Sequence, residues 1–228
     1  MSDYSQSIED YLKTIYRLAE PKGWAQTGQL ADALSVAPGS VSGMLRRLAE
    51  AELVQHVAYR GVRLTDHGRE EALRVIRRHR VLETYLAQVL DWDWDVVHEE
   101  AERLEHAASD QLIERMAEAL GNPAFDPHGA PIPTASGEVQ LQELVPMSEI
   151  AVGSMGEVRL VSDSDPARLR YIASLGFRVG ARFEVLDRTP FRGPVTVRGT
   201  DDQAQPQVVG FELAQSLLSV GLESEGVR

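Results

Sequence analysis

The 228-residue sequence predicts a mainly α-helical protein with small β parts, arranged in three segments. Three observations carry this prediction. Residues 1–74 show helical periodicity, a tight Pro/Gly turn and a short β hairpin, while residues 75–140 hold long amphipathic patterns. Residues 141–228 contain short β-rich runs punctuated by glycine and proline. We therefore predict an N-terminal winged helix-turn-helix, a helical middle domain and a small C-terminal β-barrel.

Composition excludes several classes of protein. A hydrophobic content of 43% suffices for a buried core, and the absence of cysteine excludes disulfides, thiolate nucleophiles and cysteine metal sites. The beginning, MSDYSQSIEDYLKTIY, lacks the basic start and apolar run of a signal peptide. No stretch approaches the roughly 18 apolar residues of a membrane span. We expect a soluble, cytoplasmic protein with no membrane association.

Acidic residues are concentrated in the middle of the chain. Lys and Arg number 9 against 10 Asp and Glu in residues 1–74, 5 against 13 in residues 75–140, and 9 against 12 in residues 141–228. The middle segment therefore carries a net charge of minus eight out of the total of minus twelve. This distribution indicates a cation site in the middle segment, next to an N-terminal segment that is nearly neutral.

The first segment has the order of elements of a winged helix-turn-helix. SIEDYLKTIYRLAE places apolar residues three and four apart, which predicts a helix with one buried face. A second helix is predicted at TGQLADAL, and VAPG separates it from a recognition helix that begins with small residues. VQHVAYRGVRLT then predicts a hairpin wing.

This arrangement predicts DNA binding. Small side chains at the start of the recognition helix would approach base edges, and arginines on that helix and the wing would hold phosphates. The residues that we predict to contact DNA are Ser40, Ser42, Gly43, Arg46, Arg47, Arg60 and Arg63. The alternative is an ordinary helical core whose arginines form a solvated face.

The middle segment is predicted to consist of two long helices, the first ending at about residue 90 and the second running from residue 96 to Gly121. At about 100° per residue, four side chains of HEEAERLEHA share one stripe, and two more lie one turn apart on the earlier helix. These residues are His98, Glu102, Glu105 and His106, with His79 and Glu83. They predict a metal site, and the alternative is a solvated acidic face with incidental histidines.

The apolar residues of the same two helices predict self-association. They present more apolar surface than a small domain covers alone, so we expect a symmetric homodimer. The residues in question are Val81, Leu82, Leu86, Leu90, Leu104, Ala108, Leu112 and Met116.

A Pro/Gly-rich crossing leads to the C-terminal segment. Residues 121–138 contain four prolines and three glycines, and the β-rich runs MGEVRLVS, GARFEVLD, PVTVRG and QVVGFEL follow. The helix-like PARLRYIASLG interrupts these runs and is preceded by Asp163 and Asp165. Either aspartate could donate a further metal ligand, or both could cap the helix.

Taken together, HRVLETYL, VHEEAERLEHAASD and DPHGAPIP, preceded by SIEDYLKTIY and a helix-turn-helix, resemble the diphtheria toxin repressor family of metal-dependent transcription regulators. The resemblance extends over the whole chain. It implies a DNA-binding domain at 1–74, a metal-binding and dimerisation domain at 75–140, and an SH3-like domain at 141–228.

The resemblance also implies two metal sites. The primary ligands would be Asp10, Glu102, Glu105 and His106, and the ancillary ligands His79, Glu83 and His98. Iron-sensing relatives carry methionine and cysteine at the positions of Asp10 and Glu102, and manganese-sensing relatives carry a carboxylate at the position of Lys13. Three carboxylates and one imidazole form a hard site that suits Mn²⁺ and accepts Fe²⁺, Co²⁺ or Zn²⁺.

We therefore expect a homodimeric repressor of metal homeostasis that binds double-stranded operator DNA when loaded with Mn²⁺, or with Fe²⁺, and that has no catalytic activity. Without metal, the clustered carboxylates would repel one another. Two alternatives remain: a winged-helix regulator that is independent of metal, and a metallohydrolase with the same ligands around an activated water.

Overall fold

The computed structural model describes residues 4–19, 23–162, 165–200 and 204–222. The chain divides into two compact units. The first comprises Met1–Leu82, Glu100–Asn122 and Ile132–Val139, and the second comprises Glu83–Glu99, Pro123–Pro131 and Gln140–Arg228. No helix in the described ranges is both long and apolar enough to cross a bilayer. The domain boundaries expected at residues 74 and 140 stay predictions.

The N-terminal elements are three helices followed by a hairpin: α1 (Gln6–Ala19), α2 (Thr27–Ala33), α3 (Pro38–Glu50), β1 (Val54–Val57) and β2 (Gly61–Leu64). Pro38 occupies the first turn of α3, where its missing N–H leaves no hydrogen bond unmade. Val41, Leu45 and Leu48 turn one face of α3 into the core and are fully buried. The predicted winged helix-turn-helix is confirmed.

The wing is attached to the chain before α2. Ala25 and Val62 form an isolated antiparallel bridge, with the Ala25 N–H donating to the Val62 carbonyl at 2.8 Å. Gly61 has a φ of +111°, and a Cβ at that position would lie 2.3 Å from the Ala25 carbonyl oxygen. Only glycine fits this close approach, so Gly61 fixes where the wing begins its return strand.

The middle of the chain forms α4 (Asp66–Val89), α5 (Val97–Leu104) and α6 (Asp110–Ala119). The prediction of one helix from residue 96 to Gly121 is therefore wrong. Residues 105–109 form a turn, and the Ser109 side chain caps α6 by accepting a hydrogen bond from the Leu112 N–H at 3.3 Å. Glu105 and His106 consequently lie at the start of this turn, immediately after the last residue of α5.

The C-terminal segment contains a six-stranded antiparallel sheet in the order β3-β8-β4-β5-β6-β7. The strands are β3 (Val145–Pro146), β4 (Met155–Val161), β5 (Arg182–Arg188), β6 (Val195–Gly199), β7 (Gln207–Val209) and β8 (Leu217–Leu222). The helices are a 3₁₀ turn at Met147–Glu149, α7 (Pro166–Ser174) and α8 (Phe211–Ser216). Their apolar side chains form one core around Phe183, Leu169 and Ile172. The strand-rich module and its inserted helix are confirmed.

Several apolar residues that were expected on a dimer surface are part of the core. Val81, Leu82 and Leu86 on α4 are at most 5% exposed, so they cannot contact a second chain. Leu104 at the end of α5 and Leu112 on α6 are 37% and 46% exposed and remain available. The sequence pattern could not separate these groups, because buried and interface residues share the same periodicity.

Candidate functional site

Charged side chains from α1, α4, α5 and the 105–109 turn meet within the first compact unit. Asp10, Glu105 and His106 offer ligand atoms that all lie within 4.8 Å of one another. His106 Nε2 is 3.0 Å from Asp10 Oδ1 and 3.3 Å from Glu105 Oε1. Three of the four predicted primary ligands are thus brought together, although residues 10 and 105 are far apart in the sequence. We call this group, with its contacting charged residues, the first cluster.

Glu9 orients the imidazole of His106. Its Oε2 accepts a hydrogen bond from His106 Nδ1 at 2.5 Å, because an ionised carboxylate can only accept. Its Oε1 accepts from Arg78 Nη2 at 3.2 Å, and both Glu9 and Arg78 are 2% exposed. With the Nδ1 proton held by Glu9, Nε2 is the nitrogen that can bind a metal. Glu9 was not predicted from the sequence, because its neighbour Asp10 already matched the expected ligand.

His106 Nε2 is buried and makes no hydrogen bond of acceptable geometry to any described residue. Burial lowers the pKa of this imidazole, but the contacts with Asp10 and Glu9 and the charge of Glu105 outweigh it and raise the pKa to about 9. Nε2 thus lies among carboxylate oxygens that could hold a divalent cation in place of the Nε2 proton.

A second group of ligand atoms overlaps the first. His79, Glu102 and Glu105 also offer atoms within 4.8 Å of one another, and His79 Nδ1 donates to Glu105 Oε2 at 2.5 Å. Lys13 Nζ lies 2.6 Å from both Glu102 Oε1 and Glu105 Oε1. The expectation of a purely self-repelling carboxylate cluster is therefore incomplete, because Lys13 and Arg78 place two cations within it.

The donor set of the first cluster fits a hard divalent cation. Asp10 and Glu105 supply carboxylate oxygens, and His106 supplies one imidazole nitrogen with its tautomer already fixed. Oxygen-rich sets with one imidazole suit Mn²⁺ and also accept Fe²⁺, Co²⁺ and Zn²⁺.

A second cluster lies within the second compact unit. Glu83, Asp126 and His128 are buried and offer ligand atoms within 4.8 Å of one another. His98 Nδ1 donates to Glu83 Oε1 at 2.9 Å, so two of the predicted ancillary residues are in contact. His79, the third predicted ancillary residue, contacts Glu105 in the first cluster.

The loop 126–130 fixes the geometry of His128. Asp126 Oδ1 accepts from the His128 and Ala130 N–H groups at 2.8 and 2.9 Å, and the Trp94 carbonyl accepts from His128 Nε2 at 3.0 Å. His128 Nδ1 is therefore the ring atom that can act as a ligand. Gly129 has a φ of +91°, and a Cβ there would lie 1.9 Å from the Arg159 carbonyl oxygen. Asp126 and His128 were not predicted as ligands, although DPHGAPIP contributed to the family resemblance. The sequence signal for them is an Asp-x-His pattern in a Pro/Gly-rich turn.

The acidic residues before α7 have different outcomes. Asp165 caps α7, since its Oδ1 accepts from the Ala167 and Arg168 N–H groups at 2.8 and 3.4 Å. This is the capping role that sequence analysis gave as the alternative to metal binding. Asp163 lies outside the described residues.

The predicted DNA-contacting residues all lie on the exposed side of α3 or on the wing. Ser40, Ser42, Gly43, Arg46, Arg47, Arg60 and Arg63 are all exposed. Ser42 Oγ donates to the Pro38 carbonyl at 3.1 Å, which leaves its oxygen able to accept from a base. The exposed positions are opposite the buried Val41, Leu45 and Leu48, so the recognition face is free of the core.

Trp24 organises the wing arginines, and sequence analysis did not single it out. The guanidinium carbons of Arg60 and Arg63 lie 4.5 and 4.9 Å from the centroid of the Trp24 ring. Arg63 Nε also donates to Gln55 Oε1 at 2.9 Å, and Gln26 Nε2 donates to the Arg60 carbonyl at 2.9 Å. Contact with one aromatic ring holds both cations in a restricted geometry.

Family comparisons agree with this arrangement of domains. Residues 3–62 match the family described as "Iron dependent repressor, N-terminal DNA binding domain". Residues 65–134 match "Iron dependent repressor, metal binding and dimerisation domain", and residues 145–205 match the "FeoA domain".

Individual relatives and solved structures indicate the same family. The iron-dependent repressor IdeR of Mycobacterium leprae is 35% identical over 133 residues, which are 58% of this chain and 58% of that protein. The diphtheria toxin repressor of Corynebacterium efficiens is 30% identical over 197 residues, 82% of this chain and 86% of that protein. A structure titled "Manganese-dependent transcriptional repressor complex with manganese" is 41% identical with a TM-score of 0.86, covering 94% of this chain and 100% of that one. The chain therefore belongs to the diphtheria toxin repressor family of metal-dependent, DNA-binding transcriptional repressors.

Proposed function

We propose that this repressor responds to Mn²⁺, with Fe²⁺ as the next candidate, through Asp10, Glu102, Glu105 and His106. The observation that carries the proposal is the buried His106 Nε2, which makes no hydrogen bond within the described chain and has carboxylate oxygens of Asp10 and Glu105 at 3.0 and 3.3 Å. Neither thiolate nor thioether sulfur belongs to this set. Hard oxygen donors suit Mn²⁺, and its selection over Fe²⁺, Co²⁺ or Zn²⁺ would depend on coordination geometry and metal availability, since affinity alone ranks Mn²⁺ last.

Each residue of the first cluster has a distinct task in this proposal. Asp10 extends from α1, and Glu105 and His106 come from the turn after α5, so their ligand atoms belong to different parts of the first unit. Glu9 holds the His106 proton on Nδ1. A divalent cation would supply the charge that joins these groups. It would favour the state that binds DNA over the state that does not, by the difference in its affinity for the two, typically about 1 to 3 kcal/mol.

We propose that α3 reads the operator and that the wing holds phosphates. Ser40, Ser42 and Gly43 would approach base edges, and Arg46, Arg47, Arg60 and Arg63 would contact the DNA backbone. A homodimer would place two such surfaces on a two-fold symmetric double-stranded site. Genes of metal homeostasis are the regulated class that fits a metal-responsive repressor, and its chromosomal target would place it in the cytoplasm.

We propose the second cluster as an additional cation site, held by Glu83, His98, Asp126 and His128. The set is again oxygen-rich, with two carboxylates and two imidazoles. The ancillary set inferred from the family, in which His79 joins Glu83 and His98, stays a prediction. So does the contribution of Asp163.

The decisive experiment measures DNA affinity as a function of metal. A duplex is selected from a random library in the presence of Mn²⁺, and its binding is followed by fluorescence anisotropy with Mn²⁺, Fe²⁺, Co²⁺, Zn²⁺ or chelator. We expect at least a fivefold gain with Mn²⁺ over chelator, corresponding to about 1 kcal/mol of coupling. His106→Ala should abolish this gain, whereas Glu99→Ala, on the exposed side of α5, should retain it.

The same experiment separates the alternative functions. A metal-independent regulator would bind the selected duplex equally in Mn²⁺ and chelator. A metallohydrolase would bind metal but show no metal-dependent gain in DNA affinity, and it would turn over an ester or phosphoester substrate. Either result would refute the proposed function.

A further inference from the structure

We infer that the Lys13 ammonium is a fixed cation of the first cluster, so that this cluster takes a single divalent ion instead of two. The inference rests on the proposed metal site and adds its stoichiometry. It concerns a residue of α1 that is not itself a ligand.

The first cluster contains two possible groups of metal ligands, and they have one carboxylate in common. The group of Asp10, Glu105 and His106 and the group of His79, Glu102 and Glu105 share Glu105. Geometry alone would therefore permit a pair of cations bridged by Glu105. What distinguishes the two groups is whether a lysine ammonium already bridges their carboxylates.

The second group already contains a cation. Lys13 Nζ is 2.6 Å from Glu102 Oε1 and 2.6 Å from Glu105 Oε1, and Lys13 is only 7% exposed. The Lys13 ammonium thus bridges two carboxylates, one of which, Glu105, is fully buried. In the first group, by contrast, His106 Nε2 lacks a hydrogen bond to any residue in the described part of the chain.

Charge balance supports a single ion. Among the described residues, the cluster combines four carboxylates with two side chains of fixed positive charge: Glu9, Asp10, Glu102 and Glu105, with Lys13 and Arg78. With both imidazoles neutral, the state that metal ligation requires of His106, the net charge is minus two, which one divalent cation cancels. A second ion would leave an excess of two positive charges in a largely buried group, and unpaired buried charge is costly. Asp110, the further carboxylate near Arg78, is 55% exposed and screened by water.

Lys13 also holds the carboxylates in place before metal arrives. Its ammonium fixes one oxygen of Glu102 and one of Glu105, while His79 fixes the other oxygen of Glu105. Glu105 therefore approaches His106 with its orientation already restricted. Lys13 is in this sense a specificity-determining residue, because it leaves one open position for a metal.

The test counts manganese ions. All variants carry His128→Ala so that the second cluster does not contribute, and Mn²⁺ bound per chain is measured by equilibrium dialysis at saturation. Electron paramagnetic resonance is recorded in parallel, since two Mn²⁺ ions bridged by one carboxylate give a coupled multiline signal. Lys13→Met removes the ammonium with little change in side-chain length. Arg17→Met removes a positive charge from the exposed side of the same helix and is the matched control.

We expect one ion and no coupled signal with Lys13 or with Arg17→Met, and two ions with a coupled signal in Lys13→Met. Two coupled ions in the presence of Lys13 would overturn the inference, even if Lys13→Met did not fold. A single ion in folded Lys13→Met would also overturn it. No ion at all in the chain with Lys13 would instead refute the proposed metal site, so the two failures are distinct.

Discussion

At the scale of single residues, His106 links metal binding to pH. Its pKa is raised to about 9 from 6.5, so the folded, metal-free protein favours the protonated imidazole at neutral pH. A raised pKa contributes stability that is fully present below about 6.5 and is lost as the pH rises towards about 9. A metal ligand must be deprotonated, so binding has to release this proton.

We therefore predict that Mn²⁺ affinity at the first cluster rises by about tenfold per pH unit between pH 6.5 and 8.5, because one proton is released per ion bound below the pKa of about 9. Calorimetric titration in buffers of different ionisation enthalpy gives both the affinity and the number of protons released. The His106→Gln variant should lose this slope. An affinity that does not change over this range would show that His106 is neutral before metal binds.

Glu9 is the residue whose role sequence analysis missed in the first cluster, and its effect on the metal should be indirect. We predict that Glu9→Gln weakens Mn²⁺ binding by about 10- to 100-fold, the usual effect of losing a group that orients a histidine ligand. The amide oxygen can still accept from His106 Nδ1, but the charge that Arg78 and His106 both contact is lost.

Dialysis against Mn²⁺ measures the loss of Mn²⁺ affinity. Urea unfolding of the metal-free variant measures how far the free energy of unfolding falls when the charged contact with Arg78 is lost. Glu99→Gln, on the exposed side of α5, is the matched control and should bind Mn²⁺ as the unmodified chain does. If Glu9→Gln binds Mn²⁺ normally but unfolds more easily, Glu9 has a structural role only.

At the scale of elements, periodicity predicted which segments are helical and failed at interruptions. The three helices and the wing of the first segment were predicted because their buried residues recur at helical spacing, as in Val41, Leu45 and Leu48. The break at residues 105–109 was missed because carboxylates and apolar residues continue the same spacing through it. The cap at Ser109 and the acidic Asp110 after it were the local signal.

The metal ligands also fall into those that could be predicted from the sequence and those that could not. Asp10, Glu105 and His106 could be assigned from residue type and family resemblance, and the structure brings them together. Asp126 and His128 could not, since they lie in a loop whose position depends on contacts such as the His128 carbonyl with the Val161 N–H at 2.8 Å. Long-range contacts of this kind leave no periodic trace in the sequence.

A substitution in the wing can distinguish the effect of holding Arg60 and Arg63 in place from the effect of their positive charge. We predict that Trp24→Leu weakens binding to a duplex of unrelated sequence by about fivefold, because Arg60 and Arg63 lose the ring that restricts them, a contribution of about 1 kcal/mol. The salt dependence should not change, since both charges remain. Arg60→Ala should instead reduce the slope of log affinity against log salt by about one.

Fluorescence anisotropy at a series of salt concentrations measures both quantities. Trp92→Leu, a tryptophan that is 41% exposed and outside the winged helix-turn-helix, is the control for loss of an aromatic ring. A Trp24→Leu chain with unchanged affinity would remove the stacked arrangement from the DNA-binding surface.

At the scale of the whole molecule, the acidic middle segment is only partly explained by cation sites. Glu83, Glu102, Glu105 and Asp126 belong to the two clusters. Asp91, Asp93, Glu99 and Glu118 are exposed, and they account for much of the remaining negative charge as a solvated surface. Glu100 pairs with Arg103 at 2.7 Å. The excess charge thus predicted that a cation site exists, but it could not say which carboxylates form it.

Dimerisation is a property of the whole molecule for which three of the eight predicted side chains, Val81, Leu82 and Leu86, are buried in the core. The exposed apolar residues that remain of the predicted set are Leu90, Leu104 and Leu112. All three fall within the residues that match the metal-binding and dimerisation family. A symmetric contact would bury the same patch on both chains.

We predict that Leu112→Glu shifts the protein from dimer to monomer at micromolar concentration, because the new carboxylate would face its symmetry mate across an apolar contact and lose its hydration. Sedimentation velocity measures the shift, and Leu141→Glu, at a position that is 88% exposed, is the matched control. Operator affinity should fall together with dimerisation, since a monomer contacts only one half-site. Mn²⁺ uptake by the first cluster should persist, because Leu112 is not among its ligands or their contacts. A Leu112→Glu chain that still sediments as a dimer would place the interface elsewhere on the molecule, and loss of Mn²⁺ uptake would indicate that the substitution had disturbed the fold of the first unit.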